Sequence, residues 1–240
     1  MLGPFDVLLV IVVSLQVTVL AYVSQPRHKA LALTLPFPFT VLTLSLAHPI
    51  GAPHLLGLPI LFVYTHSVRL LHQRGLPIIP AIGIGGLLYI LLASLGSRLV
   101  PDTPAVFWSS CLLLVAGALA AYLGLPHRSE NPHRTPLPLW QKLPIVISLV
   151  LILVQLKSTL AGFAALFPLV GTLGAYEARH SLWTMGRQIP VLILVMVPMM
   201  ATAHLLQERW GLAWGLVGGW LALGAVLGPL TWHQWSQSTR

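Results

Sequence analysis

Long apolar runs separated by short polar gaps dominate this chain, and their lengths set its class. A helix needs about 20 residues to cross a bilayer, and roughly 17 to 25 is usual. Nine runs reach or approach that length: Phe5 to Val23, Ala30 to Ala47, Leu55 to Leu71, Leu76 to Gly96, Pro104 to Leu125, Trp140 to Leu156, Ser158 to Tyr176, Gln188 to Leu206 and Trp210 to Leu230. A polar, proline-rich loop from Pro126 to Pro138 divides the fifth from the sixth. The sixth and seventh are divided at Lys157; without that division Leu143 to Tyr176 is one helix too long for an ordinary bilayer.

Two of the runs carry proline near their middle. The second holds Leu35-Pro36-Phe37-Pro38-Phe39-Thr40, and the seventh holds Leu166-Phe167-Pro168-Leu169-Val170-Gly171-Thr172. Each follows a short basic turn, Arg27-His28-Lys29 in one case and Lys157 in the other. Further correspondences follow. Leu58-Pro59-Ile60 matches Ile189-Pro190-Val191, and His72-Gln73-Arg74 matches Gln207-Glu208-Arg209. Glycine-rich spans come next, with Gly83, Gly85 and Gly86 in one half and Gly215, Gly218 and Gly219 in the other. The expectation is an all-α, polytopic membrane protein of nine helices in two inverted four-helix repeats joined by a connector helix. The repeats take residues 1–98 and 140–240, and the connector with its loop takes 99–139. Interrupted helices at matching places in inverted repeats are the sequence pointer to a transporter's binding site.

The basic residues give the orientation. With nine spans, ten cations (Arg27, Lys29, Arg69, Arg74, Arg128, Arg134, Lys142, Arg179, Arg187 and Arg240) fall on the side opposite the N-terminus. Three (Arg98, Lys157 and Arg209) fall on the N-terminal side. Cytoplasmic loops carry the excess of Lys and Arg, so the N-terminus is expected outside and the C-terminus in the cytoplasm, in a cell inner membrane.

Composition agrees. The 240 residues are 56% apolar and 8% charged, with mean hydropathy +0.85, whereas a soluble domain carries about 25% charged residues. The net charge of +8 is spread through the gaps rather than gathered on one face, so it does not indicate nucleic acid. It suits contact with anionic lipid headgroups. The single cysteine, Cys111, lies in an apolar span and reads as a packing residue. The N-terminal region lacks a basic stretch and a small-residue cleavage site, so the first span is expected to be retained.

The stretch Ala161-Gly162-Phe163-Ala164-Ala165-Leu166-Phe167-Pro168, with Tyr176 beyond it, resembles the GlpM-like family of small bacterial inner-membrane proteins. Those chains are about half as long, so the resemblance implies a fused, two-copy architecture in a bacterial inner membrane, and no reaction.

Candidate chemistry is sparse. Pro36, Pro38 and Pro168 free backbone carbonyls, which at membrane depth need a protein or water partner. A simple kink is the plain alternative. Thr40, Thr43, Gly171 and Thr172 lie just after the breaks and are the candidate substrate contacts, with back-bonding to the helix as the alternative for the hydroxyls. His66, His204, Asp6 and Glu177 are candidate proton-relay groups, since ionisable residues at membrane depth are few. The alternatives are interhelical hydrogen bonds for the histidines and, for Glu177 beside Arg179, membership of an interfacial ion pair. Gln16, Gln155 and Tyr64 are isolated polar positions. Gly211, Gly215, Gly219, Gly224 and Gly228 recur on one face of the ninth span, which fits close packing within the chain, a homodimer or a protein partner. No catalytic motif, metal-ligand spacing or cofactor fingerprint occurs. The paucity of mid-membrane carboxylates argues against a metal-cation pathway. The sequence therefore points to a small secondary transporter or lipid-headgroup flippase for an anionic or neutral small molecule. The alternative is a non-transporting accessory protein of an envelope polysaccharide or lipid machine.

Overall fold

A computed structural model describes residues 4–126, 130, 138–155 and 169–237. Every regular element among them is an α-helix: α1 (Pro4–Tyr22), α2 (Pro26–Thr34), α3 (Phe37–Leu46), α4 (Ala52–Gln73), α5 (Ile78–Leu99), α6 (Pro104–Gly124), α7 (Leu139–Gln155), α8 (Leu169–Glu177) and α9 (Leu182–Gln237). Among the described residues, six stretches are long and apolar enough to cross a membrane: Pro4–Tyr22, His28–Leu46, Ala52–Gln73, Ile78–Leu99, Pro104–Gly124 and Leu182–Trp232. The second of these contains both α2 and α3, so the run expected to be interrupted at its middle is interrupted there.

The last stretch, 51 residues long, is not one rod. Gly211 sits at φ 81° and ψ 166°, outside the helical region and open to glycine alone. It folds α9 into two antiparallel arms, residues 182–210 and 212–237. The arms touch closely because their contact positions lack side chains. A Cβ at Gly215 would lie 2.8 Å from the Ala203 carbonyl oxygen, and one at Gly219 would lie 2.8 Å from that of Met199. Gly224 and Gly228, farther along, have open space.

The first arm of α9 is the centre of the molecule. It packs against α2, α4 and α6, and Val195, Met196, Met199, Met200 and Ala203 are fully enclosed. The outward faces are apolar as well. Leu87, Leu91 and Leu95 on α5 and Leu112, Leu119 and Leu123 on α6 are all exposed. A helix that is apolar on every side belongs in lipid or a large core. The single prolines Pro59, Pro144, Pro190 and Pro198 sit inside continuous helices.

Candidate functional site

The break between α2 and α3 arises from two prolines two residues apart. Pro36 lacks the N–H that would reach the Ala32 carbonyl, and Pro38 lacks the one for Thr34. Proline also drives its predecessor out of the helical region. Leu35 is accordingly extended, at φ −78° and ψ 115°, and Pro36 caps the new helix at ψ 41°. One proline costs a helix one bond, and Pro59 shows that α4 absorbs it. Two in three residues end the helix.

Other helices serve the groups so freed. The Gln16 carboxamide, from the middle of α1, donates to the Ala32 carbonyl at 2.6 Å and to the Leu35 carbonyl at 3.0 Å. Thr34 back-bonds to Ala30 and Leu31 and accepts from Gln188 of α9 at 3.1 Å. Thr40 donates to the Pro36 carbonyl at 3.1 Å and accepts from the Trp220 indole at 2.9 Å. The Trp220 ring lies 5.0 Å from that of Phe37. Both α1 and the two arms of α9 therefore converge on the break.

Three buried polar atoms beside it have no hydrogen-bond partner among the described residues: Ser14 Oγ and Gln16 Oε1 on α1, and Thr43 Oγ on α3. Toward the far end of the same α1–α3 contact, Ser45 donates to the buried Asp6 carboxylate at 3.3 Å. A polar seam thus runs between α1 and α3 from Asp6 to the break. Buried polar atoms are nearly always paired, by protein or by water, so this seam has spare capacity for a polar guest.

The other candidates divide. Pro168 lies outside the described residues, as does Lys157. Gly171 and Thr172 are half-buried on α8. That helix meets α2 where a Cβ at Gly174 would lie 3.2 Å from Leu33, two residues before the extended Leu35. His66 stacks on Phe62 at 4.0 Å, its Nδ1 lies 3.1 Å from the Phe62 carbonyl oxygen, and it faces Gly186. His204 stacks on Phe107 at 4.0 Å, with Nδ1 2.6 Å from the Ile50 carbonyl oxygen. His66 thus bonds within its own helix and approaches α9 at Gly186, whereas His204 reaches the loop before α4 and the Phe107 ring of α6.

Glu177 is a member of an ion pair, the alternative to a proton-relay role. Its ion-pair partner is Lys142 at 2.6 Å, whereas Arg179 donates to the Tyr176 carbonyl at 2.9 Å and lies over the Tyr176 ring. Arg179 is close in sequence, but the chain turns after Glu177, where α8 ends, and carries it aside. Sequence reasoning also missed Gln188 and Trp220, each a polar tip within an apolar run. Gln16 was visible as such a position, without its role.

No protein-family model, curated protein or solved structure matches this chain.

Proposed function

We propose that this chain is an integral membrane protein that moves a small anionic or neutral polar molecule, or a lipid headgroup, along the α1–α3 seam past the α2–α3 break. The observation that carries this reading is the break itself, with its carbonyls served by Gln16 and partnerless buried polar atoms on both flanking helices. Irregular backbone at membrane depth is tolerated where it is enclosed by protein or lines a wet cavity, and transporters place substrates at such breaks.

The reading includes nine spans, with α2 and α3 as one interrupted span and the arms of α9 as two. Two inverted repeats are supported by a shared hairpin design. Positive-φ glycines, Gly75 at 94° and Gly211 at 81°, turn the α4–α5 pair and the two arms of α9. In both hairpins glycine faces the partner helix, Gly85 against Tyr64 and Val68 as Gly215 against Ala203. The excess of Lys and Arg on one side favours an inner membrane with a cytoplasmic C-terminus.

A second reading is a non-transporting accessory protein, favoured by the Phe37–Trp220 contact that fills one side of the break. Reconstitution decides between them. Purified protein in sealed liposomes is assayed for uptake of labelled anionic metabolites and for scrambling of a headgroup-labelled phospholipid. Transport that Thr43→Val or Ser14→Ala alters supports the first reading. Liposomes no leakier than empty ones in either assay support the second.

A further inference from the structure

Gln16 brings an acceptor to the break as well as its donors. Its carboxamide nitrogen uses both hydrogens on the carbonyls of Ala32 and Leu35. Those two contacts fix which way the amide faces, because the reversed amide would set its oxygen against two carbonyl oxygens. Oε1 is therefore held as an acceptor, and it is buried without a donor among the described residues. The α2 side of the break adds acceptors of its own. Pro38 leaves the Thr34 carbonyl without its helical donor, and the C-terminal end of a helix carries partial negative charge.

The helices that form the seam supply no positive side chain. α1 and α3 contain no Lys, Arg or His, and their one charged residue is an acid, Asp6. Cations of the neighbouring helices turn elsewhere. Lys29 of α2 donates to the Glu177 carbonyl at 3.3 Å, and Arg187, next to Gln188 on α9, donates to the Leu125 carbonyl at 3.2 Å. The first turn of α3 is the one group suited to an anion, through its backbone N–H groups. Pro38 has no such hydrogen, however, and that of Thr40 donates to the Pro36 carbonyl at 3.0 Å. An anion drawn from water into this seam meets acceptors and no counter-charge, which is costly.

We propose that the seam beside the break takes a neutral, hydroxyl-rich guest rather than an anion: a polyol, either free or as the sugar headgroup of a lipid. This inference rests on the transport reading and narrows its substrate class. A hydroxyl both donates and accepts. It gives its hydrogen to Gln16 Oε1 or to a freed carbonyl, and it accepts from the Thr43 hydroxyl, which is fully buried and partnerless among the described residues. An ionised carboxylate or a phosphate diester only accepts. It leaves Gln16 Oε1 unpaired, and a buried polar group left unpaired by the wrong ligand is what makes such a site discriminate.

The test pairs solutes that differ in charge and little else. In proteoliposomes of the full-length chain, uptake of labelled erythritol, xylitol and mannitol is compared with that of the aldonate anions of equal carbon number, each corrected for empty liposomes. A second arm compares flipping of a fluorescent glucosyl-diacylglycerol with that of phosphatidylserine carrying the same label. For a free guest, polyol uptake exceeds aldonate uptake by about tenfold or more, roughly the worth of one hydrogen bond to a buried group. Flipping confined to the sugar lipid identifies the headgroup form. In either case Thr43→Val raises the KM for the hydroxylated member, and Thr43→Ser keeps it near the native value. Equal rates within each pair, or preference for the anion, overturn the proposal and leave the transport reading standing; that comparison needs no variant. Movement of no member overturns both. Gln16→Met removes the acceptor itself, and an undiminished preference for the polyol in monodisperse Gln16→Met protein overturns the proposal as well.

Discussion

Gln16 donates to the carbonyl of Ala32, the group that Pro36 leaves without its helical donor. The proline and the glutamine are two halves of one arrangement, supplied by different helices. Gln16→Leu therefore strands buried carbonyls and is expected to cost about 1–3 kcal/mol for each unsatisfied group, measured as a lower melting temperature in detergent. Pro36→Ala restores an N–H within reach of Ala32. The double variant Gln16→Leu/Pro36→Ala should accordingly lose less stability than Gln16→Leu alone, a coupling that a double-mutant cycle reads directly.

The Lys142–Glu177 pair is buried and Arg179 is engaged elsewhere. Breaking a buried pair by removing one partner costs about 3–5 kcal/mol, whereas removing both costs much less. Lys142→Met is expected to destabilise strongly, Lys142→Met/Glu177→Leu considerably less, and Arg179→Met only slightly. Equal losses for Lys142→Met and Arg179→Met would show that Glu177 pairs with both. Thermal unfolding of the three variants makes the comparison.

The glycines of the last span are not equivalent. Gly215 and Gly219 meet backbone oxygens that cannot give way, whereas Gly224 and Gly228 meet nothing within 4 Å. Gly219→Val is expected to separate the arms of α9 and cost on the order of 1–3 kcal/mol, as overpacking does. Gly224→Val is expected to leave thermal stability nearly unchanged. If Gly224→Val instead dissociates an oligomer on size-exclusion chromatography, the outer half of this face is an interface between chains.

Much of this fold was legible because membrane constraints act locally. Apolar run length marks the spans, and Pro36 with Pro38 marks the break without any tertiary information. The turn at Gly211 was visible through Glu208-Arg209, polar residues that interrupt an otherwise continuous run. What served the break was not legible. Gln188 and Trp220 lie 154 and 180 residues from their partners Thr34 and Thr40, and no local signal links them. The buried pair was hidden for the same reason: Lys142 read as an ordinary loop charge until folding buried it against Glu177. Glu177 was legible as an ion-pair member, but not its partner Lys142, which comes from another helix.

Ile50 offers a check on the opposite side of the molecule. Its N–H donates to Gln207 at 2.8 Å and its carbonyl accepts from the same carboxamide at 2.9 Å. Gln207→Ala removes the partner of the Ile50 N–H and one of the two contacts of its carbonyl, leaving His204. Faster hydrogen exchange confined to residues 47–52, with α2 and α3 unchanged, is the expected result. Exchange spreading into α3 would mean that the loop and the break form one cooperative unit.

The central claim is that the polar seam beside the α2–α3 break admits a polar guest, and thiol accessibility tests it most directly. In a Cys111→Ser background, single cysteines replace Thr40, Thr43 and Thr172, and sealed vesicles are treated with a membrane-impermeant thiol reagent from each side in turn. The account predicts labelling at Thr40 and Thr43 from both sides, slowed by a transported substrate. No labelling at these positions from either side, in protein that labels fully once unfolded, would mean a closed and packed break, and the transport reading would be wrong.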